Sequence, residues 1–343
     1  MLRSFIAILF SGAVLLTQQQ PEPLRVCATT PDLGALAKAV GGDAVAVTTF
    51  TQGPEDPHFL EARPNMIRAT SRADVLIEVG LELEVGWLPL LTDNARNAAV
   101  LAGAPGRIDA STVITKLGVP QGIVDRSHGD VHAGGNPHFF ADPLCGLRVA
   151  ALLRDRFGEL RPAAKAAFAH NYDDFRARLC AAMVGAPLAT LYDNDVDRLA
   201  ALFAHGKLAD VLKQQGDLDK LGGWFGALLP FRGAKVVADH DLWPYFAERF
   251  GLQVVAYFEP KPGVAPTTAH LEHVVEQMRA DRVLVVLSAP YFAPQHAEFV
   301  ARATGARIAA MAHQVGGRPG CDDYIAFVDH NVREVAAALK SAQ

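Results

Sequence analysis

Strands and helices alternate along the first half of the chain, and this alternation constrains the fold more than any other feature. Strand-like runs at 24–30, 45–50 and 74–79 are separated by helical patterns at 31–40 and 65–73. A strand followed by a helix and a further strand forms a βαβ unit, in which the two strands are parallel. The first half therefore predicts an α/β lobe built on a parallel sheet.

The second half repeats the alternation. Strand-like runs at 234–238, 253–258, 282–288 and 306–312 enclose helical patterns at 243–250, 267–280 and 294–304, and a last amphipathic helix begins at Asp322. A chain of 343 residues exceeds what a single hydrophobic core usually organises. We therefore expect an N-terminal α/β lobe over 21–160 and a C-terminal α/β lobe over 186–343.

A long helical stretch lies between the two halves. Residues 163–183 contain few helix breakers, and we expect a connecting helix over 161–185 that crosses from one lobe to the other. Residues 186–229 contain further helical patterns punctuated by glycine, which indicates a helical insertion in the C-terminal lobe. The predicted fold is thus α/β, with two parallel-sheet lobes joined by a long rigid helix.

Residues 1–20 have the plan of a secretory signal peptide. A short positive region ending at Arg3 precedes an apolar stretch over 5–16 and a polar segment. That stretch is too short for a hydrocarbon core of about 30 Å. No Ala-x-Ala cleavage site is evident, so a membrane anchor that is not cleaved remains an alternative. No cysteine directly follows the apolar stretch, which argues against a lipoprotein. We expect the protein on the periplasmic or extracellular face of the membrane.

Charge and cysteine usage narrow the function classes. The formal net charge is −5, and without a long basic run nothing indicates nucleic-acid binding. The four cysteines are Cys27, Cys145, Cys180 and Cys321, and none are in C-x-x-C spacing, so a thiolate zinc site is not expected. Two alternatives remain open for these cysteines: one disulfide, or buried free thiols.

Four of the 12 histidines lie at the start of loops, each after a strand-like run or a stiff proline turn. They are His58, His138, His240 and His313. Ligands of open parallel sheets bind beyond the carboxyl ends of strands, and neutral imidazole suits zinc and related ions. The four histidines come from both halves of the chain, so the sequence predicts one metal site at the seam between the lobes.

Other polar residues near these histidines are candidates for supporting roles. Asp56, Asp142, Asp241 and Glu259 lie close to them in sequence and could orient the imidazole rings. His128 and His132 sit in a glycine-rich segment over 127–135. That segment is open to two interpretations, an accessory metal-capture loop and an ordinary polar loop.

Three motifs, in order, resemble a known family over nearly the whole mature chain. They are Asp56-Pro57-His58, the run from Asn136 through His138 to Pro143, and the run from His240 to Leu252. They are similar to those of the metal-binding solute receptors of bacterial ABC importers for zinc and manganese, the cluster A-I or ZnuA-like family. The resemblance implies a monomeric, non-enzymatic receptor that holds one ion between two lobes and hands it to a permease, acting indirectly on its ATPase.

One position departs from that family. Its site usually closes with an aspartate or glutamate after the last strand, and this position falls at or beside His313. A fourth imidazole favours Zn²⁺ over Mn²⁺, because manganese sites rely on carboxylate oxygens. Alternatively, His313 is not a ligand and water completes the site.

Other functions stay open at this point. A manganese-selective receptor needs only a different metal preference. A zinc hydrolase would use three histidines, a bound water and Glu259 or Glu61 as general base, although no H-E-x-x-H or G-x-S-x-G motif is present. A metal chaperone or a surface adhesin on the same scaffold is a further alternative.

Overall fold

The computed structural model describes residues 22–122, 132–261 and 263–342. The expected signal peptide over residues 1–20 lies outside these ranges, as does His128. Within the described ranges, no helix combines the length and apolar character needed to cross a membrane.

The N-terminal lobe is built on a four-stranded parallel sheet with the order β2-β1-β3-β4. Its strands are β1 (Leu24–Ala28), β2 (Val45–Thr49), β3 (Val75–Glu78) and β4 (Arg107–Asp109), and its helices are α1 (Pro31–Gly41), α2 (Pro64–Thr70) and α3 (Leu88–Ala95). Helix α1 begins at a proline, whose fixed φ suits a first turn, and buries Leu33, Leu36 and Val40 at helical spacing. This part of the sequence prediction is confirmed.

The C-terminal lobe repeats the same architecture. Its parallel sheet has the order β6-β5-β7-β8, formed by β5 (Lys235–Ala238), β6 (Gln253–Tyr257), β7 (Val285–Ser288) and β8 (Arg307–Ala310). After α4 (Pro143–Leu160) and α5 (Lys165–Val184), the remaining helices are α6 (Ala186–Leu191), α7 (Asp197–Ala204), α8 (Leu208–Gln215), α9 (Gly223–Leu228), α10 (Pro244–Phe250), α11 (Thr268–Asp281), α12 (Pro294–Thr304) and α13 (Tyr324–Ser341).

Helix α5 joins the two lobes. It has 20 residues, which corresponds to about 30 Å, and it packs against α1 and α4 of the first half of the chain and α9 and α13 of the second. Its buried side chains include Phe168, Phe175 and Leu179, which belong to one hydrophobic cluster that continues from β1 to β5. A continuous core of this kind limits how far the lobes can separate as rigid bodies.

A buried ion pair also fixes one lobe against the other. Asp142 precedes α4, and its Oδ1 accepts a hydrogen bond from the Leu144 N–H at 2.9 Å, so it caps the helix. Arg249 of α10 donates to both carboxylate oxygens of Asp142, each at 2.8 Å. The two side chains are only 14% and 7% exposed, so each charge depends on the other for compensation.

All four cysteines are buried and free within the described residues. Burial raises the pKa of the Cys180 thiol to about 11 and that of Cys321 to about 11. These thiols therefore stay protonated at neutral pH and behave as small apolar side chains.

Replacing Arg249 by methionine should destabilise the protein by about 3–5 kcal/mol, because the Asp142 carboxylate would remain buried without its partner. Chemical denaturation of the metal-free protein measures this. Arg178→Met is the matched control, since it removes an ion pair with Asp174 whose side chains are 53% and 59% exposed, and such a pair contributes at most about 1 kcal/mol. Equal losses in the two variants would contradict the assignment.

Candidate metal centre

Three of the four strand-end histidines meet between the lobes. The ring centroids of His58 and His138 are 5.3 Å apart, and those of His138 and His240 are 5.9 Å apart. Two imidazoles bound to one tetrahedral zinc ion have centroids about 5 Å apart, given Zn–N bonds of about 2.0 Å. His58 and His138 come from the N-terminal lobe and His240 follows β5 in the C-terminal lobe, so the site spans the seam.

His132 joins this group. Its ring stacks on His58 with centroids 5.3 Å apart, and the two Nε2 atoms are 3.2 Å apart. This separation is within hydrogen-bond range. Two nitrogens on one tetrahedral zinc ion lie about 3.3 Å apart, so the observed spacing also suits a shared ion.

Carboxylates fix the tautomers of two of the rings. Asp56 Oδ1 lies 2.7 Å from His58 Nδ1, and Glu259 Oε2 lies 2.6 Å from His240 Nδ1. Since an ionised carboxylate only accepts, each Nδ1 carries the proton, and each Nε2 keeps a free lone pair. Carboxylate–histidine pairs of this type orient metal ligands and increase their basicity.

A repeated three-residue turn positions His58 and His138. Asp56 Oδ1 accepts from the His58 N–H at 3.0 Å, and Asn136 Oδ1 accepts from the His138 N–H at 2.9 Å. In both cases the side chain reaches two residues along the chain across a proline, an Asx turn that fixes the backbone. Both segments were recognised in the sequence as family motifs, but the turn that their shared Asx-Pro-His pattern indicates was not predicted.

The other two candidate carboxylates bond elsewhere. Asp142 caps α4 and pairs with Arg249, as described above. Asp241 Oδ1 accepts from the Tyr257 hydroxyl at 2.7 Å, and the Asp241 carbonyl accepts from Asn136 Nδ2 at 2.7 Å. Asp241 therefore acts on the site through Asn136, since it ties the turn that carries His138 to the C-terminal lobe.

His313 lies at the edge of the site. Its Nε2 is 3.1 Å from the Glu55 carbonyl oxygen, which only accepts, so Nε2 carries the proton and Nδ1 holds the lone pair. Nδ1 is buried and has no partner within the described residues. His138, His313, Thr30 and Trp243 are among the residues lining an adjoining cavity of about 30 Å³, large enough for one water molecule.

Burial keeps several of these rings neutral. It lowers the pKa of His132 to about 4 and that of His313 to about 4, and it lowers the pKa of His138 well below its usual range. The charges of neighbouring imidazoles, chiefly His58 and His240, add to the effect on His132 and His138. Neutral imidazoles are the form that binds a metal ion.

The ring nitrogens are gathered without being closed around a single point. Within residues 22–122, 132–261 and 263–342, no three His, Cys, Asp or Glu side chains already have the arrangement that holds an ion. Ligation would therefore require rotation of at least one ring.

Asp32 also lines this cavity, and its carboxyl group should make the stability of the folded protein depend on pH. It is 3% exposed; burial raises its pKa to about 7, although its hydrogen bond from the Val315 N–H acts in the opposite direction. The pKa of an unfolded aspartate is about 3.9, so between these values the folded state binds more protons. The free energy of unfolding then falls as pH rises towards 7.

Asp32→Asn should remove this pH-dependent fall in the free energy of unfolding. Between pH 5 and pH 8 the stability of the variant relative to wild type should rise by roughly 2–3 kcal/mol, measured by urea denaturation of metal-free protein. Parallel pH profiles for the two proteins would show that Asp32 ionises normally in the folded state.

Comparison with known proteins identifies one family. The sequence model of the family described as "Zinc-uptake complex component A periplasmic" matches residues 26–183 and 209–338. A high-affinity zinc uptake system protein ZnuA from Yersinia pestis is 20% identical, covering 97% of each chain. A metal ABC transporter substrate-binding lipoprotein SloC from Streptococcus mutans is 21% identical, covering 93% of this chain and 90% of its own.

Solved structures show the same fold. A crystal structure of ZnuA superposes with a TM-score of 0.67 at 20% identity, covering 92% of this chain and 99% of the other. The family model covers well over half of the sequence, and the internal gap in the match, 184–208, falls mainly in the helical region after α5. The chain belongs to the family of periplasmic zinc-uptake component A proteins, which are solute receptors of metal ABC importers and not enzymes.

Proposed function

We propose that the protein captures Zn²⁺ between its two lobes and delivers it to the permease of an ABC importer, on the periplasmic or extracellular face after removal of residues 1–20. The observation that carries the proposal is the meeting of His58, His138 and His240, with the Nε2 lone pairs of His58 and His240 held free by carboxylates. Family membership sets the hydrolase alternative aside. We still predict that the protein is a monomer, and that it affects the ATPase of the importer only through the permease.

The donor set supports zinc over manganese. Manganese prefers carboxylate oxygens, and the two nearest carboxylates, Asp56 and Glu259, already accept hydrogen bonds from ring nitrogens. Their two negative charges still lie next to the ligands and would offset the charge of a divalent ion. Neutral imidazoles combined with outer carboxylates are an arrangement typical of zinc sites.

Two histidines compete for the fourth position. The 3.2 Å separation of the His58 and His132 Nε2 atoms supports His132. His313, the fourth ligand expected from the sequence, offers a buried Nδ1 lone pair. We favour His132, because its ring lies on that of His58, whereas the His313 ring packs against Tyr291 and its Nε2 already bonds to the Glu55 carbonyl.

Calorimetric titration of the chelator-stripped protein tests the function. We expect one Zn²⁺ per chain and weaker binding of Mn²⁺. Because removal of a ligand leaves an open position, His58→Ala and His240→Ala should each weaken zinc binding by at least about 100-fold. His273→Ala, at an exposed position on α11, is the control and should bind like wild type. Absence of zinc binding by wild type would refute the proposal, and a manganese preference would refute the metal assignment.

A second pair of variants identifies the fourth ligand. His132→Ala should lower zinc affinity by about 10-fold or more, whereas His313→Ala should change it less, in competition titrations with a chromophoric chelator. The reverse order would assign the fourth position to His313.

A further inference from the structure

The loop after β8 forms hydrogen bonds with the segment that leads to His58. We call residues 314–316 of the C-terminal lobe and 52–55 of the N-terminal lobe the latch. The Gln314 side-chain amide donates to the carbonyl oxygens of Gln52 at 3.1 Å, Gly53 at 3.2 Å and Glu55 at 2.9 Å. Gln314 is only 2% exposed, so its buried amide group depends on these carbonyls as hydrogen-bond partners.

The two backbones also touch directly. A Cβ atom added to Gly53 would lie 2.0 Å from the Gly316 carbonyl oxygen, a distance that no side chain could occupy. On the other side of the loop, the Val315 N–H donates to Asp32 Oδ1 at 2.9 Å. The latch is therefore a close and polar contact between the lobes, made where the chain turns towards the metal centre.

The N-terminal half of the latch fixes the position of His58. The Glu55 N–H donates to the Gln52 carbonyl at 2.8 Å, and Glu55 Oε2 accepts from the Gln52 N–H at 2.8 Å, so the segment is a closed turn. Asp56-Pro57-His58 follows at once, with the proline φ fixed. Trp87 Nε1 holds the Pro57 carbonyl at 3.0 Å, which leaves the His58 turn little freedom of its own.

We propose that the latch positions His58 for the metal ion, and that Gln314 is a positioning residue that sets how fast the ion leaves. Opening the latch would move the turn of His58 away from His138 and His240 while the continuous core holds the lobes together. This inference rests on the proposed metal-binding function. The competing explanation is that Gln314 only adds stability to the lobe contact.

Zinc dissociation and the Co²⁺ spectrum separate the two explanations. Gln314→Met keeps the side-chain volume and removes both N–H donors. Gln277→Met is its matched control, since Gln277 donates to the Val255 carbonyl at 2.9 Å within one lobe. We measure zinc release into excess chelator by stopped flow, the visible d–d absorption of the Co²⁺-loaded protein, and the melting temperature of the metal-free protein.

Gln314→Met should release zinc at least about tenfold faster, the effect expected when a group that orients a ligand is lost, and should change the Co²⁺ band. Gln277→Met should match wild type in both measurements. Gly53→Ala provides a second route, because its methyl group must push the two loops apart. Gly222→Ala is its control, since a methyl group there would lie 3.5 Å from the nearest atom, the Gly185 Cα.

The outcomes are distinguishable. If Gln314→Met and Gly53→Ala lower the melting temperature but keep the wild-type release rate and Co²⁺ band, the latch is only a lobe contact and the inference is wrong. If wild type itself binds neither zinc nor Co²⁺, the proposed function fails and the inference fails with it.

Discussion

Two carboxylate–imidazole hydrogen bonds, one in each lobe, decide what the cleft can bind. Asp56 fixes the proton of His58, and Glu259 fixes that of His240, so both rings offer a lone pair instead of an N–H group. A neutral imidazole that presented its N–H to the cleft would repel a cation. The remaining architecture serves to bring these two pairs together, since each follows a parallel strand and the two sheets share one core.

The charge balance of the site follows from the same pairs. Burial keeps His132, His138 and His313 neutral by lowering their pKa values, so the rings do not repel one another before an ion arrives. In the proposed zinc complex, the two carboxylates would lie one ring away from the ligating nitrogens and would offset the charge of the ion without coordinating it. This separation of donor atoms from counter-charges distinguishes the site from one built for a harder ion, which would use the carboxylate oxygens directly.

The sequence predicted the two sheets, because strands and helices alternate regularly in both halves of the chain. It missed β4, whose three residues give no periodic signal, and it did not identify α3 or α4 as helices. The histidines that follow a strand or a stiff proline turn were singled out by that position, and three of them, His58, His138 and His240, lie together in the structure. His132 was rated lower, because its approach to His58 depends on how a glycine-rich loop folds back.

Proximity in sequence was a weak guide to the supporting residues. Asp142 lies four residues from His138, yet its carboxylate bonds to Arg249, 107 residues away. The Nε2 atom of His313 bonds to Glu55, 258 residues away, a contact that no local pattern indicates. The latch was invisible for the same reason, because Gln314 and Gly53 acquire their roles only when the two lobes meet.

X-ray absorption at the zinc edge of the stoichiometrically loaded wild-type protein tests the central claim most directly. A cleft organised by imidazole lone pairs predicts about four nitrogen neighbours at about 2.0 Å, with outer-shell scattering from at least three imidazole rings. A six-coordinate shell dominated by oxygen, or fewer than three imidazoles, would contradict it.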